Sequence, residues 1–486
     1  MESQQSTTPL WQRSATELAA AIRAGEASSV EVVRSCLARI EETNPRLNAL
    51  VDLRPDAALA DARRADAAVA AGGRLGPLHG VPVSTKINTD QRGHVTSNGV
   101  AALAGPPAKE DAACVAALRA VGAVLLGRSN SPAFSYRWFS TNALHGRTLN
   151  PWDPDRTPGG SSGGAASSLA AGMTPLAQGN DIGGSIRYPA ACCGVVGVRP
   201  TVGRVSGWMP PMFVDTPEGP SRLDFPLAAQ ACAVEGPLAR TVADARLALD
   251  VMTSPDLRDP FGVPGMPAPP AAATKPRVGL VRHIGGAHNH SAVDAALDTA
   301  ATQLSTAGYE VEECEAAGAL LAEAARLWAL LIYEDFRGAL PLVEQVGDED
   351  IQTSLTYSFA AAAEIWGERP TLEDYIQGWA RRGTLIGALQ ELLGSERVLL
   401  TPVAAELPFE QDADLKGPER ASELLAAMWP MAAVPILGFP AVSVPAAHTA
   451  GLPISVQLIA GRFAEDLALN AAQVVEAGAP QLTPVL

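Results

Sequence analysis

Apolar residues in the first seventy positions recur with the spacing of amphipathic helices. The stretch SATELAAAIRAGE begins with Ser14 and Glu17 in capping-box spacing and ends at a glycine. The next stretch, SSVEVVRSCLARIEETNP, repeats this capping pattern, and its helix is predicted to end before Pro45. An alanine-rich segment predicts a third helix over about 56–71. We therefore expect N-terminal helices over about 12–71.

The pattern then changes to short apolar segments typical of strands. GPLHGVPVSTKIN has alternating valines between glycines, which predicts a strand that carries Lys86. Further along, KPRVGLV, a helical stretch at about 291–306 and GYEVEEC predict a strand, a helix and a strand. This order favours a parallel or mixed sheet, so the predicted fold class is α/β. The proline- and alanine-rich stretch 254–274 is a candidate linker or a long surface loop, and no internal repeat is visible.

Composition and charge exclude several classes of function. A chain of 486 residues with 47% hydrophobic residues is long enough to bury a large core. Its 36 basic and 52 acidic residues give a net charge of −16, which argues against nucleic acid or an anionic membrane as a partner. The sequence shows neither a basic-then-apolar leader nor an apolar run of the roughly 20 residues that a membrane span requires. We therefore expect a cytoplasmic protein.

The residues that most often bind metals show no ligand pattern. The six cysteines lack metal-ligand spacing and two are adjacent, so reduced thiols in the core are expected; they stand at positions 36, 114, 192, 193, 232 and 314. The HNH cluster at 288–290 lies in a polar turn before the predicted helix. Without further ligands nearby, we interpret it as a capping or surface feature rather than a metal site.

Candidate chemistry concentrates in three segments. Lys86 lies in an apolar strand of a chain with only four lysines, and lysine, unlike arginine, can lose its proton by burial. Alternatively, its stem packs while its head reaches solvent. TPGGSSGGAASSLAAG, residues 157–172, places two serines between glycine pairs, although a glycine-rich turn with a serine N-cap would look the same. GNDIGGSIRYPAACCG, residues 179–194, places a serine behind two glycines.

Three hypotheses for these glycine-serine segments compete. A phosphate-binding loop requires Lys-Ser or Lys-Thr after its last glycine, and no lysine stands there. A nucleophile elbow around Ser161 matches formally, with His448 late enough to complete a triad. However, an elbow follows a strand, and the preceding NPWDPDRTP is too rich in proline. The third hypothesis combines a lysine base, a bridging serine and a nucleophilic serine beside glycine amides that are free to bind an oxyanion.

The same segments resemble a known family, the amidase signature enzymes. GVPVSTKIN, PGGSSGGAASSLAAG and GNDIGGSIRYPAACCGVVGVRPTVGRV are similar to its motifs nearly letter for letter, and FPAVSVPAAHTAGLPISVQLIAGRFAED resembles its C-terminal segment. The resemblance implies a single domain over 1–486 with a large mixed twisted sheet and helices on both faces. Its catalytic core would span about 76–250, and the C-terminal part of the same sheet about 275–480.

The resemblance also implies a role for each catalytic residue. Ser185 would be the nucleophile, Ser161 the bridging serine and Lys86 the base, with a cis peptide bond between Gly160 and Ser161. For Lys86 to act near neutral pH, its pKa must fall from roughly 10.4 toward 7 or 8, which burial can supply. No metal or organic cofactor is required for this acyl transfer.

Backbone amides of the nucleophile loop would form the oxyanion hole. The resemblance assigns them to Ile182, Gly183, Gly184 and Ser185. Asp181 and Arg187 flank this loop and would hold it by hydrogen bonds or an ion pair. The glycines are then explained, because they leave the amides uncovered.

Two segments bear on the substrate. SPAFSYRWFSTN is rich in aromatic residues, so Phe134, Tyr136 and Trp138 either wall an apolar pocket or pack in the core. The stretch 206–234 is longer than is usual in the family and is expected to cover the site entrance.

The function expected from this resemblance is hydrolysis of carbon–nitrogen bonds in small apolar or aryl amides. Esters, hydrazides and carbamates are further candidate substrates. Its partners would be such small molecules, with a homodimer as one possible assembly. One alternative is the amidase subunit of a glutamine-dependent aminoacyl-tRNA amidotransferase. The other is a non-catalytic binding protein on an amidase fold, against which the intact lysine–serine–serine set counts.

Overall fold

A computed structural model describes residues 8–216, 219–263, 276–284, 288–483 and 485, with the backbone alone for the described part of 212–223. The described residues form thirteen strands: Leu50–Leu53 (β1), Pro82–Lys86 (β2), Val124–Ser129 (β3), Leu176–Asp181 (β4), Val196–Arg199 (β5), Met212–Thr216 (β6), Gly219–Leu223 (β7), Val234–Ala239 (β8), Arg277–Leu280 (β9), Glu310–Glu313 (β10), Arg397–Pro402 (β11), Ala441–Thr449 (β12) and Leu452–Ile459 (β13).

The described α-helices are Ala15–Ala24 (α1), Ser29–Leu47 (α2), Pro55–Ala70 (α3), Ala113–Ala120 (α4), Gly163–Ala170 (α5), Arg187–Cys193 (α6), Leu227–Cys232 (α7), Val242–Met252 (α8), Ser291–Thr306 (α9), Glu315–Arg337 (α10), Leu340–Val346 (α11), Glu349–Trp366 (α12), Leu372–Leu393 (α13), Pro418–Ala427 (α14), Trp429–Leu437 (α15) and Glu465–Gly478 (α16).

Eleven of these strands form one mixed sheet in the order β1-β3-β2-β4-β8-β5-β12-β13-β11-β9-β10. Strand β2 runs parallel to both of its neighbours, β3 and β4, and β9 runs parallel to β10 and β11. The remaining pairs in the sheet are antiparallel. The predicted α/β class with a mixed sheet is therefore confirmed.

The sheet is covered by helices on both faces. On β11, Val398 and Leu400 pack in an apolar layer with α9 and α16, whereas Leu399 packs in a second layer with α10 and α15. This alternation follows from the strand period of two, since successive side chains point to opposite faces. The three candidate segments thus lie on a scaffold that is buried from both sides.

The N-terminal helices form largely as predicted. Both capping boxes are present, with Ser14 and Glu17 at the start of α1 and the same arrangement at α2. The predicted end of α2 before Pro45 is wrong, because the helix continues to Leu47. Proline in the last turn removes only one hydrogen bond, and the helix ends where Asn48 adopts a left-handed conformation with φ 49°.

The predicted strand, helix and strand around 291–306 are also confirmed. Strands β9 and β10 pair in parallel on either side of α9 in sequence. His290 caps α9, because its ring nitrogen accepts a hydrogen bond from the amide of Ala292 at 3.2 Å. The HNH cluster therefore serves as a helix cap. All six cysteines are unpaired thiols, five of them buried and Cys314 half-buried.

Two predictions fall partly outside the described residues. Within the candidate linker 254–274, residues from 264 onward lie outside the description. In the 206–234 stretch, β6 and β7 form an antiparallel hairpin apart from the central sheet. The side chains of 212–223 are not described. That the 206–234 stretch covers the site entrance therefore stays a prediction.

Helix α10 is the one described helix that is long and apolar enough to cross a membrane by length and composition alone. Its most apolar stretch of 18 residues has a mean hydropathy of 1.4, and 56% of that stretch is buried within the fold. Core helices share these properties, and α10 packs in the apolar layer with α13 and α15.

Candidate active site

The candidate site lies where two neighbouring parallel strands end. Strand β2 ends at Lys86 and strand β4 ends at Asp181. Because β2 and β4 are parallel, their carboxyl ends meet at the same edge of the sheet. The two glycine-serine loops lead into α5 and α6 near this edge, which brings segments together that are far apart in sequence.

Lys86 is fully buried and contacts the first of these loops. Its Nζ donates to Ser161 Oγ at 2.6 Å and to Asn180 Oδ1 at 2.7 Å. Burial lowers the pKa of Lys86 from 10.5 to about 7, although the carboxylates of Glu235 and Asp181 act in the opposite direction. A substantial fraction of this lysine is therefore neutral at physiological pH, and the alternative of a solvent-reaching head group is excluded.

Ser161 follows a cis peptide bond from Gly160, as the resemblance implied. A side chain at position 160 would place its Cβ 2.3 Å from the carbonyl oxygen of Arg137, so only glycine fits there. The neighbouring Ser162 amide donates to the carbonyl of Ser185 at 3.1 Å, which joins the two loops. Ser162 stands at the N-cap of α5 without a side-chain capping bond, so the simple capping alternative is not supported.

Ser185 lies at the floor of a pocket and is 7% exposed. Within the described part of the chain, its hydroxyl makes no hydrogen bond, including none to Ser161 Oγ. The structure thus brings Lys86 and Ser161 into direct contact and places Ser185 one backbone hydrogen bond from the Ser161 loop. The Ser185 hydroxyl can therefore contact a ligand in the pocket without breaking a hydrogen bond to a described residue.

The loop that carries Ser185 presents unpaired backbone amides. Among the described residues, the N–H groups of Ile182, Gly183 and Ser185 have no acceptor. The Gly184 N–H instead donates to Asp181 Oδ1 at 3.0 Å, contrary to its expected place in the oxyanion hole. Because the Asp181 carboxylate already accepts this hydrogen bond, the Gly184 amide is not available to an oxyanion.

Two tryptophan side chains fix peptide planes in the same loop. Trp328 Nε1 donates to the carbonyl of Ile182 and Trp138 Nε1 to the carbonyl of Gly183, both at 2.8 Å. In a planar trans peptide the N–H points opposite to the C=O. Trp328 therefore fixes the direction of the Gly183 N–H.

Asp181 and Arg187 form a buried ion pair that holds the loop. Arg187 donates to both carboxylate oxygens, at 3.0 Å from Nε and 2.9 Å from Nη2, and Arg199 lies 3.5 Å from the same carboxylate. Burial raises the pKa of Asp181, but the two guanidinium groups and the Gly184 amide outweigh it and lower the pKa to about 2. Asp181 is therefore ionised throughout the physiological range.

The pocket above Ser185 is mainly aromatic and apolar. Its aromatic walls come from the loop after β3 and from α10, and they are Tyr136, Trp138, Trp328, Tyr333 and Phe336. Tyr136 meets Phe336 edge to face with ring centroids 5.4 Å apart. A more open groove between α10 and α12 contains none of the predicted site residues.

Phe134 does not line this pocket, so of its two predicted alternatives it follows the second, packing in the core. It packs in a separate apolar cluster with Val100, Val343 and Leu355. Phe134 and the next residue both have left-handed backbone conformations, with φ 55° and 56°. Tyr136 packs against the same cluster and also lines the pocket, whereas Phe134 contributes to the cluster alone.

The charged side chains that line the pocket are paired with each other. Arg137 donates to Asp414 from Nε and Nη2, both at 2.7 Å, and to Asp412 at 3.0 Å. Asp414 also accepts from Ser354 at 2.7 Å. Among the described lining residues, no charged group is thus left for a charged substrate.

Several residues that shape the site were not predicted. Gln178 and Asn180 stand two positions apart on β4, so their side chains share one face of the sheet, and both contact Lys86. Two polar residues at this spacing in a buried strand are a sequence signal that could have marked them as site residues. Trp328 and Glu235 lie far from the motifs in sequence, and no local pattern marks them.

The structure does not support the nucleophile elbow. Ser161 follows an irregular loop rather than a strand, and its hydroxyl bonds to Lys86. His448 lies exposed near the end of β12, where its ring centroid is 5.3 Å from that of Trp152.

Comparisons with known proteins identify the family. The model of the Amidase family matches residues 31–469. The chain is 41% identical over 473 residues to the indoleacetamide hydrolase of Bradyrhizobium diazoefficiens, covering 96% of this chain and 87% of that protein. It is 33% identical over 512 residues to a glutamyl-tRNA(Gln) amidotransferase subunit of Salinispora tropica, covering 98% and 99%. A solved 6-aminohexanoate cyclic dimer hydrolase complexed with substrate matches at TM-score 0.78 and 27% identity, covering 98% of both chains.

The fold and these matches define a hydrolase that cleaves carbon–nitrogen bonds in amides. The chain belongs to the amidase signature family, as the sequence motifs predicted.

Proposed function

We propose that this amidase hydrolyses small aryl amides through an acyl-enzyme on Ser185, with Ser161 and Lys86 as the proton path. The observation that carries the proposal is the buried Lys86 in hydrogen-bond contact with Ser161, beside a serine that opens into an aromatic pocket. A neutral lysine is a competent proton acceptor, and burial supplies the neutral form.

The proposed reaction proceeds in two acyl-transfer steps. Lys86 takes the proton of Ser161 as Ser161 takes that of Ser185, whose oxygen attacks the substrate carbonyl carbon. When the tetrahedral intermediate collapses, the proton returns through Ser161 to the leaving nitrogen, and the amine departs. Water then attacks the acyl-Ser185 ester by the same proton path, which releases the carboxylic acid and restores both serines.

Backbone amides are the proposed stabilisers of the developing oxyanion. Ile182, Gly183 and Ser185 have unpaired N–H groups in the described structure. Donors that are already oriented cost little reorganisation when charge develops on the carbonyl oxygen. The proposed loop support comes from Asp181 and Arg187, which would act through the backbone without touching the substrate.

An aryl acetamide is the proposed substrate class. The aromatic walls of the pocket support it, and so does the similarity to a protein named indoleacetamide hydrolase. Indoleacetamide is therefore the first compound to test. Its hydrolysis should release ammonia and indoleacetic acid.

The amidase subunit of an aminoacyl-tRNA amidotransferase is the second candidate, because a protein named for such an enzyme matches over nearly its whole length. Glutamine carries a charged amine and a charged carboxylate. The described pocket offers paired charges and aromatic walls, which favours the aryl amide.

The test is a substrate panel with purified protein. Indoleacetamide, acetamide, glutamine and an indoleacetate ester are compared by product release, and kcat/KM for indoleacetamide should exceed that for acetamide at least 100-fold. An early quench should leave the indoleacetyl mass on the peptide that contains Ser185. Turnover of glutamine alone, or a label on Ser161, would contradict the proposal.

A further inference from the structure

Glu235 is a buried carboxylate next to the lysine–serine pair with no role in the proposed reaction. It lies on β8, directly beside β4 in the sheet, and is 6% exposed. Among the described residues, no arginine or lysine lies within ion-pair distance of it, in contrast to Asp181. A buried charge without a partner is costly, so its presence here requires an explanation.

Two side-chain amides connect this carboxylate to Lys86. Asn180 accepts from Lys86 Nζ at 2.7 Å, and its Nδ2 donates to Asn88 Oδ1 at 3.0 Å and lies 3.5 Å from Glu235. Gln178 accepts from the Lys86 backbone amide at 2.9 Å and donates its Nε2 to Glu235. Each amide thus turns its oxygen to the lysine and its nitrogen to the carboxylate. Thr89 Oγ1 also accepts from Gln178 Nε2, at 3.1 Å, but Glu235 is the acceptor that the two nitrogens share. It supports this orientation of both amides, because a flipped amide would place two oxygens together.

The charges around Lys86 leave Glu235 as its principal counter-charge. The charged groups near the lysine are Glu235 on β8, Asp181 at the end of β4, and Arg128 on β3, which donates to the Lys86 carbonyl at 2.8 Å. Asp181 is neutralised by its own arginines. The Cys114 thiol on α4 approaches Glu235 at 3.8 Å and carries no charge at neutral pH, since burial raises its pKa.

We propose that Glu235 is a positioning residue: its carboxylate, acting through Gln178 and Asn180, holds Lys86 against Ser161 and provides the negative charge that matches the lysine ammonium. The proposal rests on the proposed function, in which Lys86 is the base. Glu235 does not touch the substrate and acts only through the lysine.

The pH dependence of the reaction follows from this arrangement. Burial raises the pKa of Glu235 to about 7, close to that of Lys86, so the two groups titrate as a pair. Neutral lysine and carboxylate together accept one proton more readily than the lysine alone. Without the carboxylate, Lys86 should stay neutral to lower pH. The acid limb of kcat/KM should then move downward, while proton transfer at the plateau becomes slower because the amides are no longer held.

The test compares Glu235→Gln with wild type on the amide that wild type hydrolyses, across pH 5 to 10. The acid limb should move down by about one pH unit, and the plateau kcat should fall about tenfold. Glu235→Asp keeps the charge on a shorter chain that cannot reach both amides. Its acid limb should therefore stay near that of wild type while its plateau also falls.

The matched control is Asp244→Asn, which removes a buried carboxylate that caps α1 through the amides of Ala15 and Thr16. It should lower thermal stability without moving the acid limb. If Glu235→Gln does not fold, an unchanged plateau in Glu235→Asp overturns the proposal.

Lys86→Ala separates this proposal from the function on which it rests. If Lys86→Ala is active, Lys86 is not the base, and the proposed function and the role of Glu235 are both overturned. An inactive Lys86→Ala variant, beside a Glu235→Gln variant with the wild-type pH profile and plateau, would overturn the role of Glu235 alone.

Discussion

At Lys86, burial and neighbouring charge act on the pKa in opposite directions. Burial is the larger effect and lowers the pKa to about 7, while Glu235 and Asp181 limit the fall. An isolated lysine in the same site would titrate lower still, and a solvent-exposed one near 10.4. The side chain is thus suited to accept a proton near neutral pH, which arginine cannot do.

Lys86→Arg should therefore be nearly as inactive as Lys86→Ala, although it keeps the positive charge. In wild type, kcat/KM should rise with pH through about 7 and stay high into the alkaline range, because the ammonium form cannot take a proton from Ser161. The measurement is kcat/KM from pH 5 to 10 for an amide and an activated ester. An arginine variant close to wild type would mean that Lys86 only screens charge.

Removal of the Ser185 hydroxyl should abolish turnover without unfolding the protein. Ser185→Ala is expected to reduce kcat by on the order of 10⁴-fold or more, with an unchanged circular dichroism spectrum. His448→Ala is the control and should stay within about threefold of wild type, since it lies exposed beside Trp152. A collapse in His448→Ala would instead restore the elbow hypothesis.

The proximity of Lys86, Ser161 and Ser185 was predictable because each lies in a long local motif, and their roles in the reaction stay predictions. Glu235 was not predictable, because its significance arises only from the pairing of β8 with β4. The prediction for Gly184 was wrong for a similar reason. Its amide direction depends on the Asp181 carboxylate, which a motif does not reveal.

At the scale of elements, the loop that carries Ser185 is oriented by a helix that contributes none of the proposed reacting groups. Trp328 on α10 holds the Ile182 carbonyl at 2.8 Å and thereby fixes the Gly183 N–H. The pocket walls Tyr333 and Phe336 lie on the same helix. One helix thus links the shape of the aromatic pocket to the geometry of the proposed oxyanion donors.

Trp328→Phe should slow catalysis more than it weakens binding. The ring remains in the pocket while the N–H donor is lost, so the Gly183 amide is no longer held. A fall in kcat of about 10- to 100-fold is expected, with KM changed less than threefold. Trp366→Phe, which loses a similar bond to the Arg326 carbonyl on the outer helices, is the control. Equal effects in the two variants would mean a general loss of stability.

Helix α10 also shows where sequence reasoning ends at this scale. Its apolar spacing is that of any core helix, so nothing marks Trp328 or Tyr333 as pocket residues. The starts of α1 and α2 were predictable, since capping boxes are local. The end of α2 was mispredicted because a proline in the last turn is tolerated.

At the scale of the molecule, both halves of the chain meet in one sheet. Strand β5 from the N-terminal half pairs with β12 from the C-terminal half, with Val198 opposite Val442. Contacts beyond the sheet also join the halves, since Glu476 on α16 accepts from the Val242 amide at 2.7 Å. We infer that the chain folds as one domain.

Unfolding should accordingly occur in one cooperative transition. Urea titrations followed by far-ultraviolet circular dichroism and by tryptophan fluorescence should give the same midpoint, because tryptophans lie on both sides of the junction, for example Trp152 and Trp429. Two separated midpoints, or a stable proteolytic fragment that ends near the β5–β12 junction, would contradict a single domain.

The division of labour between α10 and the catalytic segments has a consequence for laboratory evolution. The proposed proton path lies between Lys86 and Ser185, whereas three of the five aromatic residues of the pocket wall come from a helix more than a hundred positions later. A library restricted to Tyr333 and Phe336 would therefore redesign the acyl pocket while the proton path keeps its sequence. Trp328 must be left unchanged in such a library, since it belongs to both tasks.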